Sequence, residues 1–495
     1  FQNFVGMAMA VAPKTIWNQH QLTIILTLIQ IIFLIVFILF SEHSAGAQPG
    51  RTPEIEAPVK YTDFQDIHLA LVLGFAFLIA FLRRYSYASF GFTLLLTALT
   101  IEWALIIRGL ASEEFANSKN GRFPISIYSL VKADFTAAVV LIAFGALAGK
   151  LSPVQYLIVA LAAGGASIGN ECLVLKSLGI QDVGGSAVVH LFGAIFGIVA
   201  AKILSKPTWK NQQDYGSVYH SDLISFIGAG VLWVFFPAFN AVNTVADARY
   251  RAIINSYVAL VASAVAAFLT SQFLSKIKHF NIRHVVSASL AGGVALGATA
   301  NILLHPWHAF VVGSIAGIVS ILSFVFITPK LDAKWGVHDS RGVLSLHGIP
   351  GFIGIVASAA FLALYPDNTY PIIAAERDNL GQAGFQLLAI IVTIAVAAIA
   401  GVITGFILNV KIWNQVLPEN LFSDNQFFAL PEDFDFTSRV IGQIDHVEIS
   451  KQPVLPVGPT TSGTQEEMIN LTSAEAIAEE TKVSEVTHTQ ETPAV

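Results

Sequence analysis

Apolar side chains fall in long blocks along this chain, with few of the polar interruptions that mark a soluble core. Twelve blocks stand out, at approximately 22–40, 66–82, 90–107, 127–148, 154–175, 184–204, 222–239, 253–274, 285–304, 308–328, 341–364 and 385–409. Most are about the length that crosses a hydrocarbon layer roughly 30 Å thick as a helix. The first, Leu22 to Phe40, holds no charged residue. In lipid a single crossing segment must pair every backbone N–H and C=O internally, so the helix is its stable form. The expected fold class is therefore an all-α polytopic membrane protein of about 12 transmembrane helices. An even number of crossings leaves both termini on one side.

The polar positions set the layout. Residues 1–20 form an N-terminal stretch, and 21–411 the transmembrane domain, with a first span at 21–40 and a last at about 385–410. A loop rich in Pro, Gly and Glu fills 41–65. Ala45-Gly46-Ala47 resembles a signal-peptide cleavage site, but the block before it is longer than a signal-peptide core, which favours a retained span. Residues 412–446 mix polar and aromatic positions (Phe422, Phe427, Phe428, Phe434, Phe436) and are expected to pack against the cytosolic face. Residues 447–495 are rich in Thr, Glu, Ser and Pro, a composition that predicts disorder. With the N-terminus in the cytosol, the cytosolic segments hold about 14 basic residues, among them Lys150 and Arg341, against about 9 outside. The sequon at Asn470 would then face the cytosol and carry no glycan.

Composition agrees with this picture. Of 495 residues, 54% are hydrophobic and only 12% charged, too few charges to coat a soluble globule of that size. Net charge is −6 without a basic block, which argues against a nucleic-acid partner. The single cysteine, Cys172, permits neither an internal disulfide nor a cysteine-type zinc cluster. No nucleophile–base motif and no Gly-rich phosphate loop is present, so neither an enzyme nor a cofactor is expected.

Two blocks share a pattern. Asp182, Gly185, His190 and Gly197 read D-x2-G-x4-H-x6-G, and Asp339, Gly342, His347 and Gly354 repeat it. The copies occupy the fifth spans of two consecutive five-span blocks, about 66–204 and 222–364. An odd number of spans per block makes the two copies run in opposite directions, as in inverted-topology repeats, whose functional site lies near the midplane. Each histidine follows its aspartate by eight residues, about 12 Å along a helix. Entering from opposite faces, both imidazoles reach the middle of the membrane. A polar side chain there is costly and points to function rather than packing. Nothing beside the pair supplies the further ligands that a metal needs.

These residues bring a family into view. The stretches DVGGSAVVHLFGAIFG (182–197), SLHGIPGFIG (345–354), FQDIHLALVLGFAFLIAFLRRY (64–85), VKADFTAAVVLIAFGALAGKLSP (131–153), FFPAFN (235–240) and ASLAGGVALG (288–297) resemble the Rh glycoprotein branch of the ammonium transporter/Rh family. The resemblance runs from about residue 15 to 440. The extra first span and long outer loop are similar to the animal-type Rh glycoproteins. The resemblance implies a homotrimer in the plasma membrane, each subunit with its own hydrophobic pore. His190 and His347 match the paired pore histidines, and Phe135 and Phe239 the stacked aromatics of the outer gate. Asp182 matches an aspartate that supports the recruitment site, Glu171 an acidic vestibule residue, and Asp339 the inner-mouth mate of Asp182. One departure is plain. Plant and bacterial relatives cup ammonium with a Trp and a Ser; no match for that Trp is found, and Asn243 stands where the Ser would fall.

The implied chemistry is conduction of NH3, recruited as NH4+ and deprotonated, because an apolar tube rejects a bare cation. Electroneutral flux is the favoured form. Each residue also has a plainer reading: Asp182 and Asp339 as helix caps, Glu171 as an ion-pair partner of a neighbouring helix, Phe135 and Phe239 as packing. Glu102, inside a span, is unassigned. Rival functions are a channel for CO2 or another small neutral gas, and a non-transporting scaffold such as the blood-group Rh polypeptides, which lack the histidine pair. The expected partners are ammonium or ammonia and membrane lipid; the tail's partners are open.

Overall fold

The computed structural model describes residues 16–49, 61–206, 209, 212, 214–366 and 377–430. All lie in one compact unit, Phe1–Gly442; a second, Gln443–Val495, falls outside the described residues. The expectations for residues 1–15, for Phe434 and Phe436, and for the tail with Asn470 therefore also lie outside them.

Among the described residues, twelve helices carry the fold: α1 (Ile16–Phe40), α2 (Tyr61–Ile79), α3 (Ser86–Leu110), α4 (Ile127–Leu147), α5 (Pro153–Ser177), α6 (Ser186–Leu204), α7 (Tyr219–Ala241), α8 (Ala246–Leu274), α9 (Ile282–Leu296), α10 (Pro306–Trp335), α11 (Leu344–Leu364) and α12 (Asn379–Leu408). Of these, 11 are long and apolar enough to cross a membrane. The exception is α9, with 15 residues. The apolar block 285–304 is helical only to Leu296 and then turns. The carbonyls released by that turn find donors: Asn255 Nδ2 reaches those of Ala300 (2.9 Å) and Leu303 (2.8 Å), and Arg251 Nε that of Asn301 (2.8 Å). Buried backbone groups need such partners, and hydropathy alone does not reveal them.

The helices α2–α6 and α7–α11 form two five-helix halves, and α6 and α11 run in opposite directions: a Cβ at Gly348 would meet Ala194, one at Gly354 Ser186. Their packing corresponds. Gly197 of α6 lies so close to α4 that an added Cβ would stand 2.9 Å from the Ala143 Cα, and Gly354 of α11 so close to α9 that its Cβ would stand 2.3 Å from the Ala295 carbonyl oxygen. The approach segments correspond as well. Gly184 N donates to the Gly297 carbonyl just past α9 (2.8 Å), and Ser340 N to the Ala146 carbonyl at the end of α4 (3.3 Å).

Helix α1 lies outside the two halves against α3 and α5. Leu28, Ile32, Leu34 and Ile38 are each more than half exposed, a surface suited to lipid. Phe33 stacks on Trp103 (5.7 Å between centroids), and Gln30 Nε2 donates to Glu102 Oε2 at 2.6 Å. Glu102 thus has a partner in mid-span. At the other end of the chain, residues 409–430 fold back over the helix ends. Gln21 Nε2 donates to the Ile412 carbonyl (2.8 Å), and Phe422 N to that of Gly149 (2.8 Å). Asp424 caps α3, accepting from the amides of Tyr87 (2.9 Å) and Ala88 (2.7 Å).

Candidate functional site

Each histidine is aimed by the same local device. The chain enters α6 through Gly185 at φ +74° and α11 through Gly342 at φ +79°, a left-handed conformation that residues with a Cβ adopt at a cost. An aspartate caps the first turn. Asp182 Oδ2 accepts from the amides of Ala187 (2.9 Å) and Val188 (3.0 Å), while Asp339 accepts from those of Gly342, Val343 and Leu344 at 2.9–3.0 Å. Both helices then open as π-helix, over Ser186–Leu191 and Leu344–Gly348. In the first, His190 N donates five residues back to the Gly185 carbonyl at 2.9 Å. Such wide turns recur at functional sites.

The two rings meet. His190 Nδ1 and His347 Nδ1 are 3.1 Å apart, the rings are within 8° of parallel, and both residues are buried. A contact between two ring nitrogens needs one proton, so one Nδ1 donates and the other accepts, which fixes complementary tautomers. His190 Nε2 is buried without a protein partner. Around the pair lies a cavity of about 30 Å³, whose walls include Leu71, Phe75, Ala138, Phe236, Phe239 and Leu290. That is room for one or two molecules the size of water or ammonia. Phe75 lies parallel to His347 at 6.1 Å, and Phe239 sits 6.0 Å from His190. Phe135 stacks on Phe239, centroids 4.2 Å apart and planes within 8°.

The groups around the two ends differ. Glu171 is no bare carboxylate: Arg108 reaches its Oε2 at 2.6 Å and Lys132 its Oε1 at 3.4 Å. Two cations on one carboxylate leave little attraction for a third. Asp182 is buried, and burial pushes its carboxyl up to about 7 against the opposing pull of the backbone amides it accepts from. Asn243 Nδ2 donates to the Val183 carbonyl (2.9 Å). Near Asp339, two of the basic residues that the orientation argument counts are interior. Arg341 Nε donates to the Leu78 carbonyl (3.0 Å) and its other nitrogens to Ser287 and Ser225. Lys150 donates to the Ala146 carbonyl (2.7 Å) and to that of His338, and burial draws its ammonium down to about 7.

One pair was not anticipated from sequence. His68 Nδ1 meets Asp134 Oδ1 at 3.1 Å, linking α2 to α4 beside Phe135. A histidine near the start of a span reads as an ordinary boundary residue. The usable signal was the four-residue spacing of Phe64 and His68, which puts both on one face of α2, where their rings stack with centroids 5.1 Å apart.

This is a helical, multi-pass membrane protein of channel type, with two oppositely running helices meeting at one narrow, imidazole-bearing lumen. The chain belongs to the ammonium transporter family, in its Rh branch: the model of the Ammonium Transporter Family matches residues 22–420. It is 36% identical over 445 residues to the ammonium transporter Rh type C of Canis lupus familiaris, covering 84% of this chain and 96% of that one. To the ammonium transporter Rh type A of Bos taurus it is 37% identical over 415 residues, covering 82% and 94%. Among solved structures, Rh50 of Nitrosomonas europaea, described in connection with conduction by the Rhesus family of channels, superposes with a TM-score of 0.65. It is 31% identical, over 75% of this chain and 93% of that chain.

Proposed function

We propose that the chain conducts ammonia, NH3, down its gradient through this lumen, taking it up as NH4+ and leaving the proton outside. The observation that carries the reading is the imidazole pair, 3.1 Å apart, in an otherwise apolar cavity beside the Phe135–Phe239 stack. A tube of this kind strips an ion of its water and returns little, so K+, Na+ and NH4+ are excluded. NH3 is neutral and both donates and accepts, so it can exchange hydrogen bonds with His190 and His347 in turn. CO2 offers no donor and would leave the pair's accepting atoms unused. The Asp182 end is the outer mouth and the Asp339 end the inner one, with both termini cytosolic and the plasma membrane as the site. Asp182 and Asp339 serve the pore by capping and aiming its histidine helices. Glu171 holds Arg108 and Lys132 at the rim. The working assembly is a homotrimer, one pore per subunit.

The test is reconstitution of the whole chain into liposomes, with internal pH and current recorded together after an ammonium pulse. The expected result is rapid internal alkalinisation without matching current. A saturating inward current that tracks ammonium would overturn electroneutral conduction, and a rate equal to that of empty liposomes would overturn transport.

A further inference from the structure

We propose that His68, backed by Asp134, is the base that takes the proton from ammonium at the outer mouth; this rests on the ammonia reading above. The pair is in line with the pore. On α2, His68 is three residues before Leu71 and seven before Phe75, both of which wall the cavity. On α4, Asp134 is four residues before the cavity residue Ala138 and directly precedes Phe135. Three or four residues are one helical turn, about 5 Å. Both members therefore stand one turn outward of the lumen on two of its walls, level with the aromatic gate. His68 has 37% of its side chain exposed, Asp134 none.

The charges nearby leave the carboxylate to the imidazole. Lys132 of α4 and Arg108 of α3 are engaged by Glu171 of α5, and Arg249 of α8 by Asp63 of α2. Asp66 of α2 is two positions from His68, on another face, and residues 229–241 of α7 hold no titratable group. Asp134 Oδ2 is buried without a hydrogen bond. A buried carboxylate is costly unless a cation or donor answers it, and here His68 does.

The atoms balance simply. Neutral His68 donates its Nδ1 proton to Asp134 Oδ1, which leaves the Nε2 lone pair free, the same arrangement by which a carboxylate orients a catalytic histidine. Ammonium at the mouth loses one proton to Nε2. The N–H electron pair stays on nitrogen, NH3 passes the Phe135–Phe239 stack, and the imidazolium rests against the carboxylate. Nε2 then returns its proton to external water. In free solution the transfer runs uphill, since ammonium is the weaker acid. The apolar gate, which disfavours ammonium, and the carboxylate, which favours imidazolium, both oppose that slope.

The experiment compares wild type, His68→Gln and Asp134→Asn, each as the full chain in proteoliposomes at fixed total ammonium, by initial alkalinisation rate across external pH. Gln keeps a donor for Asp134 but takes no proton. Between about pH 9 and pH 7, where His68 is neutral, the wild-type rate should fall far less steeply than free NH3, which drops about tenfold per pH unit; at lower pH the imidazole is itself protonated and the two fall together. Both variants should follow free NH3 throughout, falling about tenfold or more behind wild type near pH 7 and rejoining it near pH 9. A variant that keeps the wild-type rate near pH 7, or loses the same factor at every pH, overturns the proposal while ammonia conduction stands. A wild type no faster than empty liposomes overturns both.

Discussion

Gly185 and Gly342 stand at matching left-handed angles, +74° and +79°, each five residues before one of the two paired histidines. Neither has room for a side chain. A Cβ at Gly185 would lie 2.5 Å from the Val189 Cγ2, and one at Gly342 only 2.2 Å from the Phe324 Cε1. Strained backbone costs about 1–3 kcal/mol and overpacking about 1–3 more. Gly185→Ala and Gly342→Ala should each lower the melting temperature of the detergent-solubilised protein and slow ammonia flux. An unchanged melting curve would show that the turn relaxes without loss.

The aromatic stack makes a second prediction. Phe135 and Phe239 lie face to face at 4.2 Å over the lumen. Phe135→Ala or Phe239→Ala should open the outer mouth and raise osmotic water permeability, measured by light scattering from shrinking proteoliposomes. Truncating a packed phenylalanine costs about 3–5 kcal/mol in a full core, and less where the ring borders a cavity. If water permeability and ammonia flux both hold, the rings are packing alone.

For the imidazole pair, His190→Ala and His347→Ala each leave the other ring without its partner, at a cost of about 1–3 kcal/mol. Both should reduce ammonia flux per correctly assembled protein. His190→Glu keeps a polar group in the lumen but adds a fixed charge, and should admit cations with measurable current. Wild-type flux and selectivity in all three would return the scaffold reading to the front.

Lys150 sets a pH dependence. Burial draws its ammonium from the usual 10.5 to about 7. Between those values the unfolded chain holds a proton that the folded chain has released, so stability rises with pH over that window and is level below about 7. The slope contributed is at most about 1.4 kcal/mol per pH unit. Melting temperature recorded from pH 7 to 9 should climb in the wild type and climb less in Lys150→Met. Parallel slopes would mean that the ammonium is solvated after all.

How much of this molecule is legible in its sequence depends on the reach of each interaction. Apolar runs state where helices cross, because lipid contact is a property of each residue in turn. The recurrence of Asp, Gly, His and Gly states that α6 and α11 are equivalent, because the cap, the turn and the imidazole lie within nine residues. The family stretches point to Phe135 and Phe239. Contacts between distant segments leave no such trace. Nothing local to Glu171 announces Arg108, 63 residues earlier, and nothing local to His68 announces Asp134. Arg341 counts as a loop charge until Leu78, Ser225 and Ser287 are seen to surround it. The shortening of α9 belongs to the same class, since the groups that satisfy its broken turn come from α8.

The π-helical openings of α6 and α11 make the aim of each histidine a matter of counting. A π turn behaves as an α turn with one residue spliced in. Deleting a single residue between Gly185 and His190, or between Gly342 and His347, would let the helix close to its ordinary pitch with the segments on either side still in phase. Adding one there, where the wide turn has already absorbed its extra residue, would swing the segment ahead of it by about 100° relative to the rest of the helix. The aspartate cap and the ring would then fall out of phase although no side chain had changed identity. For this lumen a one-residue insertion is thus a graver lesion than a deletion or most substitutions, and the spacing from glycine to histidine is as much a part of the site as the imidazole itself.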